Sequence, residues 1–168
     1  MRIKVHYITL VLPLLAACGP TPEKAKAYNN KLVHVQEKAY YLNDEIDQLF
    51  VGEVWYYAPD DPQVADFISS SRARYEELIA EAEEIDNLTG HNEMKTALLD
   101  LLNYFAGSMD TYYMELIKDA AEETGRAPGI QEAFNGGFSE RETAFLDAQQ
   151  ALAEEFNLEL GYRETIKH

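Results

Sequence analysis

The 168-residue chain carries 14 basic and 30 acidic residues, and 46% of its residues are hydrophobic. A surface this acidic repels phosphate backbones and anionic lipid headgroups, which argues against nucleic-acid binding and against a basic membrane-binding face. The length and the hydrophobic share fit one folded domain rather than a disordered chain.

The first 17 residues are predicted to be a cleavable secretory signal peptide. Arg2 and Lys4 supply its positive start, an apolar run covers residues 7–15, and small residues precede Cys18. The apolar run is too short to span a bilayer, which needs about 20 apolar residues. Removing residues 1–17 takes away two basic and no acidic residues, so 12 basic residues oppose 30 acidic ones, a formal charge of −18.

Cys18 is predicted to be the lipid-bearing first residue of the mature protein. The letters LAAC at residues 15–18 resemble the lipobox at which bacterial lipoproteins are diacylated on the cysteine thiol and then cleaved before it. Cys18 is the only cysteine in the chain, so it can form no internal disulfide, and lipidation gives this thiol a role. The alternative is an ordinary signal peptide that keeps a cysteine near its end.

The predicted anchor is two or three acyl chains on Cys18, which hold a protein durably at a membrane where one chain is marginal. Gly19 follows it. In bacteria that retain lipoproteins with aspartate at this position in the inner membrane, glycine favours the outer membrane. We therefore expect a lipid-anchored protein of the bacterial cell envelope, at the outer membrane, with its periplasmic or surface-facing side left open.

Residues 18–22 are interpreted as the lipidated cysteine and a short tether, and residues 23–168 as the folded domain. A first helix is predicted to begin just after Pro22 and to end at Gly52, because apolar residues recur in steps of three and four. Its seam comprises Tyr28, Leu32, Val35, Ala39, Leu42, Ile46 and Leu49.

A second helix is predicted from Asp60, Asp61 and Pro62 to about Asn87, because aspartate caps free amides and proline suits the first helical position. Its seam comprises Ile68, Ser71, Tyr75, Leu78, Ala82 and Ile85.

A third helix is predicted over residues 92–123, with a kink or a close helix contact at Gly107 and Ser108. Its core stripe comprises Leu98, Leu101, Phe105, Ser108, Tyr112 and Leu116.

Residues 125–138 hold four glycines and a proline, which predicts a turn region. Ser139 and Glu142 then have the spacing of a capping box, which predicts the start of a fourth helix that ends near Gly161. Its core residues are Phe145, Ala148, Leu152 and Phe156. Four amphipathic helices predict an all-α, antiparallel up-down four-helix bundle.

Several segments are familiar as a set: the lipobox, YNNKLVHVQEK in the first helix, RYEELIAEAEEIDNLTGHNEMKTALLDLLNYF across the next two, and FLDAQQALAEEFNLEL in the last. Together they resemble a family of uncharacterised bacterial surface lipoproteins predicted to be four-helix bundles. The resemblance implies a fold and an envelope location. It brings no established activity, so Cys18 is the only functional residue that it carries over.

No metal or cofactor is predicted. Di-iron bundles need Glu-x-x-His pairs on two helices, whereas His34 and Glu37 have the reversed order once and are interpreted as a surface pair. His91 lies in a predicted turn and His168 at the end of the chain. Covalent haem needs two cysteines, and the chain has one. Haem held by axial methionine is an open alternative for three methionines, but we favour their packing in the core. The methionines concerned are Met94, Met109 and Met114.

Runs of glutamate on the second and third helices are interpreted as a solvated face rather than a divalent-cation site, since they lack calcium-loop spacing. They are Glu76, Glu77, Glu81, Glu83, Glu84, Glu122 and Glu123.

The connection after the first helix holds the candidate partner contacts Trp55, Tyr56 and Tyr57. Exposed aromatic residues would suit a protein or glycan partner in the envelope. The competing interpretation, which we favour for Trp55, is that the aromatics close the end of the core, with Tyr56 or Tyr57 left outside.

The sequence thus favours a non-enzymatic, lipid-anchored binding or structural component. No Gly-x-Ser-x-Gly elbow or phosphate-binding glycine loop is present, and lipidation would remove the only thiol nucleophile. The alternative function is a small-molecule or metal carrier that uses the bundle interior.

Overall fold

A computed structural model of the chain describes residues 19–160. Cys18, the predicted signal peptide before it, Gly161 and His168 lie outside the described residues. The described part is all-α and contains no strand, and its apolar side chains form one continuous core. No helix in this part is long and apolar enough to cross a membrane.

Four helical rods build the fold, and two of them contain a π-helical turn. The elements are α1 (Pro22–Leu49) followed by a π turn (Phe50–Val54), α2 (Pro62–Glu84), α3 (Glu93–Ser108) joined through a second π turn (Met109–Tyr113) to α4 (Met114–Glu122), and α5 (Ala127–Phe156).

The first two helices begin at proline, each after a side-chain cap. The Thr21 hydroxyl oxygen accepts a hydrogen bond from the Lys24 amide at 3.4 Å, and the Asp61 carboxylate accepts one from the Gln63 amide at 2.8 Å. Capping satisfies amides that have no partner inside the helix. The predicted start of the second helix at Asp61 is therefore confirmed, although α2 ends at Glu84 rather than Asn87.

The predicted seam of α1 is buried from Tyr28 to Ile46, but its last member is wrong. Leu49 is 37% exposed, and Phe50 is buried in its place. Gly52 does not end the helix, because the π turn carries helical backbone through it to Val54. A π turn adds a residue to one helical turn, so the side chains that follow it rotate relative to the seam.

A π turn also changes which side chains of the third rod face the core. The predicted interruption at Gly107 and Ser108 is realised as the π turn that begins at Met109. Within this turn, Tyr113 is fully buried, whereas Tyr112, the predicted core residue, is only half-buried.

The predicted turn region at residues 125–138 is wrong, because nearly all of it belongs to α5. Ser139 and Glu142 lie inside this helix and do not form its start. Instead, the buried Asp119 carboxylate accepts hydrogen bonds from the amides of Arg126 at 2.7 Å and Ala127 at 2.9 Å. This carboxylate caps α5 from the end of α4, which a local sequence pattern does not reveal.

The early part of α5 also packs against the core, which offsets the low helix propensity of its glycines. Ile130, Phe134 and Phe138 contact the core from this segment. Farther along, Phe145 and Leu152 are buried as predicted, and Asn157 ends the helix in a left-handed conformation with φ 51°.

Candidate binding groove at the aromatic connection

The predicted aromatic residues between α1 and α2 occupy three different environments. The Trp55 ring is half-buried and meets the Phe50 ring edge-on, with 5.4 Å between centroids and an interplanar angle of 88°. Tyr56 is 82% exposed, and Tyr57 is half-buried. Trp55 therefore helps to close the core, while Tyr56 presents its ring to solvent.

Backbone hydrogen bonds hold this connection in a defined shape. The Trp55 amide donates to the Phe50 carbonyl at 2.9 Å and completes the π turn, and the Tyr57 amide donates to the Val54 carbonyl at 3.0 Å. The Asp61 amide then donates to the Ala58 carbonyl at 2.9 Å, directly before α2. The aromatic side chains thus project from an ordered turn.

A cluster of aromatic rings underlies the connection and joins the two π turns. Phe50 from the first π turn lies 5.0 Å from Tyr113 of the second, centroid to centroid, and both rings contact Phe67 of α2, at 6.0 and 5.7 Å. Such edge-to-face and tilted pairs add to the stability gained from burial. Two π turns, which often occur at functional sites, therefore meet at one end of the core.

A partly buried polar network adjoins this cluster. The Tyr113 hydroxyl donates to the Asp47 carboxylate at 2.5 Å, and the Asn43 amide donates to the other carboxylate oxygen at 3.1 Å. Burial raises the pKa of Asp47 above its ordinary range, although the hydrogen bond from Tyr113 opposes this. Burial and the nearby Asp47 charge raise the pKa of Tyr113, so its phenol stays protonated. The network is suited to fixing the rings in place.

An open groove of about 460 Å³ lies beside the connection, between the first π turn and the start of α2. Its volume falls within the range of small-ligand sites. The groove is lined by Leu49, Glu53, Val54, Tyr57, Gln63, Asp66, Phe67, Ser69 and Ser70.

The groove carries negative charge that no described residue compensates. Glu53 and Asp66 are exposed, form no ion pair or side-chain hydrogen bond with any residue of 19–160, and have no basic neighbour in the lining. The arginines of α2 are engaged elsewhere: Arg72 pairs with Asp110 and Arg74 with Glu45. The two groove carboxylates therefore face solvent without a partner.

Three exposed apolar residues lie in or next to the segment of chain that borders the groove. Leu49, Val51 and Tyr56 are 37%, 66% and 82% exposed. They are three of the five large hydrophobic residues of the described chain with substantial exposure, and all lie within eight residues of sequence. Exposed side chains of this kind, the tyrosine above all, are candidate contact residues.

The other sequence candidates do not converge on a site within residues 19–160. His34 and Glu37 are exposed, and His91 lies 3.5 Å from Glu155 and packs against the Phe156 ring. This part of the chain brings together no group of three histidine, cysteine or acidic side chains able to hold a metal ion.

The predicted packing role of the methionines is seen in the core, where Met94 and Met109 are buried and Met114 is half-buried. Among the predicted solvated acids, Glu76 and Glu77 are exposed, and Glu81 pairs with Lys38 at 2.7 Å.

Comparison with protein-family models, with curated proteins and with solved structures finds no match to this chain. The sequence pointed to the aromatic connection, but not to the groove, because Glu53 and Asp66 are brought together only by the packing of α2 against the π turn.

Proposed function

We propose that this protein is a lipid-anchored, non-enzymatic component of the bacterial cell envelope that binds a partner through the aromatic connection and its groove. The observation that carries the proposal is the exposed Tyr56 in the connection that borders the groove of about 460 Å³, whose lining includes the exposed Leu49. Aromatic and apolar residues at the centre of a contact surface commonly dominate binding energy.

The proposed anchor is Cys18, and its support comes from the sequence. The signal segment, the lipobox at residues 15–18 and the absence of any other cysteine are explained together by lipidation. Gly19 favours the outer membrane as the destination. The resemblance to envelope lipoproteins predicted to be helical bundles agrees with this assignment.

We further infer an antiparallel up-down order of the four rods, supported by pairs of side-chain contacts. Later residues of α1 meet earlier residues of α2, and the first and third rods run in the same sense. The pairs between α1 and α2 are Lys38–Glu81 and Glu45–Arg74, and those between α1 and the third rod are Tyr40–Phe105 and Asp47–Tyr113. The pairs at α3 and α5 are Asp100–Arg141 and His91–Glu155. The 28 residues of α1 would then hold the groove about 40 Å from the helix start, at 1.5 Å per residue.

Site-directed photocrosslinking in the native envelope tests the binding function. A photoreactive phenylalanine analogue would replace Tyr56, and the matched control would carry it at Tyr41, which is 72% exposed on α1. We expect a discrete crosslinked species from position 56 and none from position 41. No crosslink from position 56, or the same products from both positions, would contradict the proposal.

The anchor has its own test. Cys18→Ala should abolish fatty-acid labelling and move the protein from the detergent phase to the aqueous phase, because the acyl chains attach to this thiol. Fatty-acid labelling that persists in this variant would exclude Cys18 as the lipidated residue.

A further inference from the structure

We propose that the Asp47 carboxyl is a pH-sensitive switch that controls how firmly the aromatic connection between α1 and α2 is held. Protonated Asp47 keeps the connection closed against the core, and ionised Asp47 loosens it. The geometric basis is the position of Asp47, which lies in the last turn of α1 before the first π turn and is bonded to the second. This inference rests on the proposed binding function and adds its regulation, because Tyr56 belongs to the connection.

A short chain of contacts leads from Asp47 to the connection. Its carboxylate accepts the Tyr113 hydroxyl at 2.5 Å, and the Tyr113 ring meets the Phe50 ring at 5.0 Å with an interplanar angle of 69°. Phe50 contacts Trp55 through the edge-on ring pair at 5.4 Å, and its carbonyl accepts the Trp55 amide at 2.9 Å. A change at Asp47 therefore reaches the connection through two packed rings.

Asp47 has hydrogen-bond donors but no cation. Its side chain is partly buried, and its two carboxylate oxygens accept from Tyr113 and from Asn43. No basic side chain pairs with it within residues 19–160. Neutral donors stabilise a carboxylate but leave its charge uncompensated, and an uncompensated charge held away from water is costly. Ionisation of Asp47 therefore opposes closure of this end of the core.

The titratable neighbours of Asp47 do not neutralise it. On α1, the Asp44 charge adds to the rise in the pKa of Asp47. The second π turn presents Tyr112 and Tyr113, and α2 presents Tyr75. Their phenols stay protonated, because burial and the Asp47 charge raise the pKa of each.

The charged residues of the packed elements are committed elsewhere. Arg74 of α2 pairs with Glu45 of α1, and Arg72 of α2 pairs with Asp110 of the second π turn. The first π turn has one charged residue, Glu53, which lines the groove. No basic residue of α2 or of the two π turns is therefore left to compensate Asp47.

The direction of the switch follows from the two environments of this carboxyl. In the closed state, burial raises the pKa of Asp47, although the Tyr113 hydrogen bond opposes this. An open connection hydrates the carboxyl and returns its pKa to the ordinary 3.8. Opening is therefore least favourable below pH 3.8, becomes more favourable as the pH rises, and levels off above the raised pKa. Each pH unit between the two pKa values multiplies the open population by up to about tenfold.

Hydrogen exchange of the Trp55 and Tyr57 amides tests the switch in the full-length protein, purified from membranes in a nonionic detergent. Both amides donate to backbone carbonyls of the first π turn. After correction for intrinsic exchange rates, we expect their protection to fall roughly threefold or more between about pH 4 and pH 7. In Asp47→Asn, which does not ionise, it should fall less than about 1.5-fold. Equal falls in the two proteins would overturn the proposal.

Asp60→Asn is the matched control, because it removes the same charge from the connection itself. This carboxylate is exposed and forms no side-chain hydrogen bond within residues 19–160. The variant should keep the pH dependence of the parent protein. A flat profile in Asp60→Asn as well as in Asp47→Asn would assign the effect to net charge and overturn the switch.

Tyr113→Phe gives a second test that does not depend on the folding of Asp47→Asn. It keeps the ring and removes the donor that favours the ionised carboxylate, so the pKa of Asp47 should rise further. The pH at which the exchange profile levels off should therefore move upwards. Uniform loss of protection at every pH, with this point unmoved, is the result of a purely structural hydroxyl and would overturn the proposal.

Photocrosslinking from position 56 separates the switch from the proposed function. The yield in the parent protein should fall between about pH 4 and pH 7, and it should stay constant in Asp47→Asn. The same pH dependence of the yield in both proteins would overturn the regulation and leave the binding function standing. If no crosslink forms at any pH while amide exchange still depends on Asp47, the binding function is rejected and the switch stands.

Discussion

The Tyr113 hydroxyl donates a 2.5 Å hydrogen bond to the Asp47 carboxylate, joining the second π turn to the last turns of α1. The bond lies beside the ring contact of 5.0 Å between Tyr113 and Phe50. Tyr113 thus joins the second π turn to α1 through a polar contact and to the first π turn through an aromatic contact. The groove depends on this connection, because Val54 and Glu53 belong to the first π turn.

Asp47→Asn should make the protein's stability less sensitive to pH. Burial raises the pKa of Asp47 in the folded state above its ordinary value of 3.8. Folding therefore favours the protonated Asp47 carboxyl. The stability that this carboxyl contributes is full below pH 3.8 and is lost as the pH rises through the raised pKa. Asparagine still accepts the Tyr113 hydrogen bond but does not ionise.

Urea unfolding followed by circular dichroism at several pH values measures this effect. We expect the variant to lose less stability than the parent between about pH 4 and pH 7. Identical pH slopes for the two proteins would mean that Asp47 has the same pKa in the folded and unfolded chain.

Trp55→Ala should lower the free energy of unfolding by about 2–3 kcal/mol, somewhat less than the loss of a fully buried aromatic residue. The reason is that the half-buried ring covers Phe50 at the end of the core. Tyr56→Ala, at the next position, should change stability by less than about 0.5 kcal/mol, because this side chain is 82% exposed. Equal effects of the two substitutions in thermal unfolding would contradict the division of roles between them.

Gly137→Ala should destabilise the protein by about 1–3 kcal/mol, as overpacking does. A Cβ at this position would lie 2.5 Å from the hydroxyl oxygen of Tyr104. That ring is held in place, since its hydroxyl donates to the Phe134 carbonyl at 2.8 Å and the Arg141 guanidinium lies 4.4 Å from its centre.

Gly136→Ala is the matched control for this substitution. A Cβ at Gly136 would meet nothing within 4 Å, so alanine should stabilise the helix by about 0.5–1 kcal/mol. Opposite signs in chemical denaturation are expected for the two neighbours. Stabilisation by both would show that Tyr104 does not press against α5.

Asp119→Ala should destabilise α5 at its start and remove part of the acid sensitivity of the fold. The hydrogen bonds from the Thr124 hydroxyl and the Arg126 amide lower the pKa of Asp119 below its ordinary value of 3.8. Its contribution is present above pH 3.8 and is lost as the pH falls through the lowered pKa. Hydrogen exchange at the first turns of α5 should accelerate.

Glu122→Ala is the control, because this exposed acid on the same helix caps nothing. It should leave exchange in α5 unchanged. Equal acceleration in both variants would assign the effect to a change of charge rather than to the cap.

Regular parts of this fold follow from local patterns, whereas its irregular parts do not. The spacing from Tyr28 to Ile46 and the Asp61 cap sufficed to predict α1 and the start of α2. The π turns escaped prediction because periodicity assumes a constant rotation per residue. The start of α5 escaped it because Asp119 lies seven residues before the nearest amide that it caps.

The sequence likewise revealed only part of the candidate site. Trp55, Tyr56 and Tyr57 stand out in sequence as an aromatic group outside the helical periodicity. The partly buried position expected for Trp55 agrees with the structure, and of Tyr56 and Tyr57, one of which was expected outside the core, Tyr56 is the exposed one. Glu53 and Asp66, however, are unremarkable residues in an acidic chain until α2 brings them to one groove.

The edge-on contact between Trp55 and Phe50 gives the protein a natural optical reporter. Trp55 is the only tryptophan among 168 residues, so indole fluorescence originates from this end of the molecule alone. It is half-buried in the connection that borders the groove, and its emission should respond to changes in hydration there. A red shift that precedes the loss of helical signal on heating would reveal that the π turns open before the rods separate.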